Sequence, residues 1–366
     1  MKLSGLQIFW IMVTFETGNT LLLTTSPAIG EAQQDVWISY LIAGVLGIFI
    51  AFAATRLSLL YSGQTLIQFS QTILPKWMGK ILLISYFIQW YSVIGVILRE
   101  FADFTITILF FRTPMWLIIL TMLLLMIFLT YQGGIEGIGR CSELFGPIIL
   151  VSIFLVVMLS LPNTEWNRIL PVYVDNGMSS IWKATLLPAS FFGECVMLTM
   201  LLSFMEKPEQ GPSRAMWGVG IAGLVVFIST LCIIFVFGPA LSAKMSHPFF
   251  DMARYISIAG FIQNIDLLIV LIWIMSVFIK LSLYFFICSY GTAQWLNIKD
   301  WRKLIWGVAL VVFVQSLLYP DVTVSDVKYV TQYWIPYAFT INMVGIPLIL
   351  WLIGTIRKKY SLANYR

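Results

Sequence analysis

Charged residues are scarce in this chain: Asp, Glu, Lys and Arg make up 11% of its 366 residues, where a soluble domain carries roughly 25%. That scarcity excludes a water-facing surface around most of the molecule. Histidine is rarer still, with His247 alone in a Ser-His-Pro turn, which removes the His clusters that hold metals and the His bases of hydrolytic catalysis. The four cysteines, Cys141, Cys195, Cys232 and Cys288, are scattered through apolar stretches, so neither a disulfide framework nor a metal spacing is expected. No nucleophile, base and orienting group fall together. The sequence does not read as an enzyme, and it implies no cofactor and no metal.

What is abundant is apolar length. The chain is 60% hydrophobic with mean hydropathy +0.91, and its composition predicts an all-α polytopic membrane protein folded as a single transmembrane domain. Ten runs are candidate spans: residues 6–29, 36–59, 81–111, 115–131, 144–161, 184–205, 215–237, 265–289, 304–318 and 334–356. Between them, 61–80 reads as an interfacial loop and 132–143 as a glycine-rich one. Residues 162–183, with Trp166, Tyr173 and Trp182, read as a watery loop with interfacial anchors, and 238–264 as an amphipathic helix lying in the interface. The N-terminal run is expected to be an uncleaved first helix, since Glu16 and Asn19 fall inside what would be a leader's apolar core.

The net charge of +5 is not gathered into a patch, so nucleic acid is not an expected partner. Its distribution reports orientation instead. On the side of the N-terminus fall 14 Lys and Arg residues, six fall on the opposite side, and Arg99 and Lys280 lie inside spans; the excess predicts that both termini are cytoplasmic.

Two spans carry polar residues that a membrane helix does not need. Phe15-Glu16-Thr17-Gly18-Asn19-Thr20 interrupts the first run after about 15 Å of helix, near the middle of a ~30 Å hydrocarbon core. Glycine beside short polar side chains suits unwinding, and backbone that leaves the helix at that depth must face protein or a water-filled cavity. A plain kink, with Glu16 satisfying local amides, is the alternative. The sixth run holds Ser190-Phe191-Phe192-Gly193-Glu194-Cys195 just after Pro188, which is either a second break or a small-residue packing site. Five helices separate the two segments, and an odd number turns the second copy over in the membrane. The pattern predicts a 5+5 inverted repeat: repeat one at 6–161, a linker at 162–183, repeat two at 184–356 and a cytoplasmic tail at 357–366, with broken helices 1 and 6 meeting at a midplane site.

Further charges lie inside spans: Arg99, Glu100 and Asp103 in the third run and Lys280 in the eighth. Arg99 and Asp103 form an i,i+4 pair, either self-neutralising or part of a gate. Lys280 has no acid within four residues, so Glu16 or Glu194 must partner it from another helix unless it snorkels to the cytoplasmic surface. Paired, it would stand where a sodium-coupled relative holds a cation.

With the helices placed, several short pieces in order resemble the B-subunit family of GerA-type spore germinant receptors, within the amino acid–polyamine–organocation superfamily. They are Gly18-Asn19-Thr20 with residues 24–27, Arg99 with an acid four residues on, Arg112-Thr113-Pro114, and Gly133-Gly134-Ile135 ahead of Arg140. Leu170-Pro171-Val172, the Phe191-Phe192-Gly193-Glu194 stretch and Tyr319-Pro320-Asp321 complete the set. The resemblance implies a ten-helix, LeuT-like fold in the spore inner membrane, embedded in lipid, with an A-type subunit and a lipoprotein C-type subunit as partners. It implies a nutrient germinant, usually an amino acid, lined by Glu16, Thr17, Gly18 and Asn19, by Gln89 and Val93, and by Phe192, Gly193 and Glu194. Lys280, Arg99 and Asp103 are the coupling or gating candidates. The alternative is a proton-coupled amino acid transporter using Glu16, Glu194 or Lys280.

Overall fold

Backbone surrounded by lipid must satisfy its own N–H and C=O groups, which helices do. The computed structural model describes residues 1–173, 177–257, 265–319 and 327–363, the side chains as far as 359. It runs α1 Gly5–Leu23, α2 Thr25–Ala32, α3 Val36–Leu60, α4 Leu66–Ile73, α5 Lys76–Ile108, α6 Met115–Ser160 and α7 Gly177–Phe192. There follow α8 Leu198–Leu201, α9 Gly211–Phe237, α10 Pro239–Ser242, α11 Pro248–Tyr255, α12 Asp266–Trp295 and α13 Ile305–Leu318, then a π-helix, Val330–Gly345, that continues into α14 Ile346–Ala363. Among the described residues, nine helical runs are long and apolar enough to cross a membrane. The chain is an integral membrane protein.

The longest run, Met115–Asn163, has 49 residues, about 73 Å of helix and more than twice a ~30 Å core. It bends at Gly134, where φ is 54° and ψ is −148°. The loop expected over 132–143 is therefore absent. Two helical arms meet at one glycine, because glycine alone accepts that dihedral pair without a Cβ clash. The bend lies beside the N-terminus, where a Cβ on Gly134 would meet the Met1 sulfur at 2.7 Å.

Two segments lie at the centre of the bundle. In α1, 78% of the apolar window is buried, and in Gly177–Phe204 the figure is 83%, against 33% for the outermost spans. Around them pack α3, α6, α9 and α12. Small residues permit the closest approaches: Gly146 of α6 receives the Trp10 ring, and Gly44 of α3 meets Gly223 of α9.

The break expected at residues 15–20 does not form, and α1 is helical through it. Of the two hydroxyls in that stretch, Thr17 Oγ1 bonds back to the Val13 carbonyl at 2.6 Å and Thr20 Oγ1 has no hydrogen-bond partner among the described residues; Thr14 Oγ1, just before it, donates to the Trp10 carbonyl at 2.9 Å. A side chain from α12 is wedged in at that point. Ser276 Oγ donates to the Thr14 carbonyl at 2.5 Å and accepts from the Gly18 N–H at 3.1 Å, and these two backbone groups are ladder partners four residues apart. The interruption comes one turn later, at Thr24 between α1 and α2, where the Thr24 hydroxyl bonds the Thr20 carbonyl and the Tyr40 hydroxyl.

The sixth span breaks where expected, but by tightening. After Phe192 the backbone turns into a 3₁₀ segment, Gly193–Met197, then α8, then a second 3₁₀ turn, Leu202–Phe204. Elsewhere, the loop expected at 61–80 contains amphipathic α4, held by a capping box between Thr65 and Gln68. The tenth span is π-helical over its first half, with Pro336 inside and the Ile346 N–H reaching back five residues to the Ile341 carbonyl. A proline that cannot donate favours such a register change. Residues 174–176 of the expected watery loop, 258–264 of the interfacial segment, Pro320 and Asp321, and 364–366 of the tail lie outside the described residues.

Candidate functional site

The 3₁₀ turn after α7 presents Glu194, and α12 presents Lys280 and Tyr284, one turn apart on the same face. Lys280 Nζ donates to Glu194 Oε1 at 2.5 Å, with the two side chains 0% and 1% exposed. The Tyr284 hydroxyl donates to the other carboxylate oxygen. Lys280 Nζ also stands over two rings, 4.9 Å from the centroid of Phe15 and 5.1 Å from that of Phe191. A carboxylate with two aromatic faces supplies what a desolvated ammonium lacks. Lys280 does not snorkel; its partner is Glu194, one of the two acids the sequence left open.

Glu16, Asn19 and Thr20 share one face of α1 and are fully buried. Both Glu16 carboxylate oxygens, both Asn19 amide atoms and the Thr20 hydroxyl lack a hydrogen-bond partner among the described residues. Glu16 lies in electrostatic range of both Lys280 and Glu194. Lys280 is thus bonded to one buried acid, Glu194, and lies in the field of a second, Glu16.

Beside this cluster is a small cavity with a free volume of about 30 Å³. One wall is the α5 face of Val93, Val96, Ile97 and Glu100, another is Phe191 with Glu194, and the third is Tyr329, Val330 and Trp334 of the tenth span. Its lining is apolar apart from Glu100, Glu194 and the Tyr329 hydroxyl, which bonds Ser92 at 2.8 Å.

The residues singled out in the sequence have different fates. Val93 and Glu194 line the cavity; Lys280 lies behind that wall, bonded to Glu194, and Glu16 is not among the lining residues. Thr17 and Gly18 are consumed inside α1, the first by its back-bond and the second by Ser276. Gln89 is tied to the tenth span, its Oε1 accepting from Asn342 Nδ2 at 2.9 Å. Phe192 points away from the cavity and packs on α3, where a Cβ on Gly47 would lie 2.6 Å from the Phe192 Cβ; its neighbour Phe191 does the lining. Gly193 faces Phe339 and Met343 with only 3.0–3.2 Å to spare for a Cβ, so it is a helix contact and not open space. Arg99 bonds Asp103 at 2.9 Å and donates to the Tyr319 carbonyl, tying α5 to the end of α13. Sequence reasoning missed Tyr284 and Phe15, although Tyr284 follows Lys280 by one helical turn. It also missed Ser276 and the tenth-span aromatics.

A family model described as "Spore germination protein" matches residues 2–323. Spore germination protein YndE of Bacillus subtilis (strain 168) is 27% identical over 304 residues, covering 81% of this chain and 82% of that one. Spore germination protein KB of the same strain is 25% identical over 324 residues, with 86% and 84% covered, and spore germination protein A2 is 24% identical over 370, with 99% and 98% covered. Among solved structures, MhsT in complex with L-phenylalanine superposes with a TM-score of 0.65 at 15% identity, covering 97% of this chain and 89% of that one. A Na⁺-coupled sialic acid symporter gives 0.64 at 13% identity, with 96% and 78% covered. At these identities the structures show the fold, which is LeuT-like.

Proposed function

Because the chain belongs to the spore germination protein family, we propose that it is the B-type, membrane-embedded subunit of a germinant receptor and senses a small nutrient in the cavity beside Glu194. The observation that carries this reading is an apolar cavity with one buried carboxylate in its wall, at the place where the sixth span changes its helical register. Its free volume is small, about 30 Å³, so a ligand the size of an amino acid enters as the packing around the cavity changes. Glu194 attracts an ammonium group, and Val93, Val96 and Ile97 accept a modest apolar side chain.

The rest of the architecture is read with it. The two arms of α6 count as two crossings, which brings the spans to ten and divides the chain into repeats at 6–161 and 184–356, a linker at 162–183 and a tail at 357–366. Both termini are cytoplasmic, in the inner membrane of a spore, and A-type and lipoprotein C-type subunits assemble with the chain. Ligand binding shifts the balance between two packings of the bundle, which requires that the ligand bind one better than the other. Partner subunits respond to that shift.

The test is germination itself. Spores whose receptor carries Val93→Phe are expected to lose the response to their amino acid while the subunit stays at its normal level in the membrane. A response retained at wild-type concentration rejects the cavity as the sensing site. A second reading, proton-coupled amino acid transport, is favoured by Glu16, an intramembrane acid without a hydrogen-bond partner among the described residues. Uptake into proteoliposomes that follows an imposed pH gradient and is lost in Glu16→Gln selects that reading.

A further inference from the structure

We infer that Lys280 is a tethered ammonium occupying the chain's own amine-recognition cage, and that a ligand bearing a primary ammonium takes Glu194 by displacing Lys280 toward Glu16. The inference rests on the reading of the cavity as the ligand site and names what that site recognises and how it switches.

The cage has the composition of a site for a cation from outside the chain. Glu194 supplies the charge, Tyr284 holds the second carboxylate oxygen in place, and Phe15 and Phe191 offer ring faces at 4.9 and 5.1 Å from the ammonium. Glu194 and Phe191 each do double duty, since both also form the cavity wall. A molecule in the cavity therefore meets the same carboxylate and the same ring that hold Lys280. Lysine is suited to yielding, because its ammonium is a compact charge on a flexible four-carbon stem.

The displaced ammonium needs somewhere to go, and Glu16 is available. It is buried, both oxygens lack a hydrogen-bond partner among the described residues, and it already lies in the field of Lys280. In the exchanged state each carboxylate holds one ammonium. The exchange also changes which helix α12 is fastened to. At rest the pair joins α12 to the 3₁₀ turn of the sixth span; after exchange it joins α12 to α1. That difference in contacts is what a ligand needs in order to shift a conformational equilibrium.

The test uses the purified full chain in lipid nanodiscs, with ethylammonium chloride as probe and potassium chloride and ethanol as controls. Lys280→Ala empties the cage, and ethylammonium is expected to raise its melting temperature saturably by about 3 °C or more, with no such rise from either control. Adding Glu194→Gln abolishes the effect. The wild type binds ethylammonium at least tenfold more weakly than Lys280→Ala, because the tethered ammonium competes, and Glu16→Gln weakens it further.

Lys280→Gln, whose amide still donates to Glu194, serves if the alanine variant does not fold, and it is expected to show a smaller shift of the same specificity. A folded Lys280 variant that ignores ethylammonium overturns the inference, as does wild-type binding of equal affinity. An unchanged midpoint in Glu16→Gln overturns the assignment of Glu16 as acceptor. Spores that answer their amino acid through Val93, while the Lys280 variants ignore ethylammonium, refute the cage and leave the proposed function standing. Amine binding without any amino acid response does the reverse.

Discussion

Removing the ammonium of Lys280 while leaving the carboxylate of Glu194 in place is the sharpest perturbation of this bundle. The pair is 2.5 Å long and its side chains are 0% and 1% exposed, so Lys280→Met strands a carboxylate whose remaining donor is the Tyr284 hydroxyl. Breaking one side of such a pair costs about 3–5 kcal/mol. Glu194→Gln is milder, since the ammonium keeps the faces of Phe15 and Phe191, each giving about 0.5–2 kcal/mol to a desolvated cation, and the new amide still accepts from it. The double variant Lys280→Met/Glu194→Gln buries no charge at this position, and its amide keeps the Tyr284 hydrogen bond. It should therefore be more stable than Lys280→Met alone, with a coupling energy of about 2–3 kcal/mol. Reversible unfolding of the four proteins in mixed micelles measures the cycle. Coupling below about 0.5 kcal/mol, the usual scatter for independent sites, would refute the pair as an energetic unit.

Other substitutions test the packing that sets the pair in place. Gly18→Ala puts a Cβ 2.3 Å from Ser276 Oγ and should cost about 1–3 kcal/mol; Ser276→Gly in the same chain should recover part of it, as read by melting temperature. Gly134→Ala, at φ 54° and ψ −148°, should cost about 1–3 kcal/mol and lower the yield of monodisperse protein, whereas Gly307→Ala, with open space around its Cβ position, should change neither. Arg99→Gln removes the bonds to Asp103 and to the Tyr319 carbonyl. With the pair's side chains 11% and 19% exposed, the loss should be about 1–2 kcal/mol, and Asp103→Asn should cost less.

Much of the fold was legible because hydrocarbon imposes a simple rule. Apolar runs at 36–59, 215–237 and 304–318 became α3, α9 and α13 to within a few residues at each end. The errors came from reading polar residues and glycines as loops. Gly133, Gly134 and Gly137 look like a loop, yet one positive dihedral at Gly134 turns the chain and the flanking residues stay helical. In α1, Thr17 looks like a helix breaker, but a hydroxyl that bonds the carbonyl four residues back leaves the helix intact. Only Ser276, 258 residues away from Gly18, reveals the contact that the glycine serves.

The site was legible to the same degree. A lysine without a local acid must find a distant one, which narrowed the partner to Glu16 or Glu194; the fold selects Glu194. Which phenylalanine faces the cavity depends on a helical phase that the 3₁₀ turn at Gly193 begins to shift, so Phe191 and Phe192 could not be told apart from their order in the chain. Val330 and Trp334 of the cavity's third wall come from a π-helix, whose five-residue pairing no 3.6-residue periodicity announces. Gln89 entered the ligand set through the family resemblance alone. Asn342, on that same π-helix, takes its amide oxygen.

The most direct test of the account is equilibrium binding of a panel of the common amino acids to the purified chain, followed by thermal shift, for the wild type and for Val93→Phe. The account predicts that at least one small apolar amino acid stabilises the wild type saturably and leaves Val93→Phe unmoved. Equal stabilisation of both proteins, or none of the wild type by any member of the panel, would contradict it.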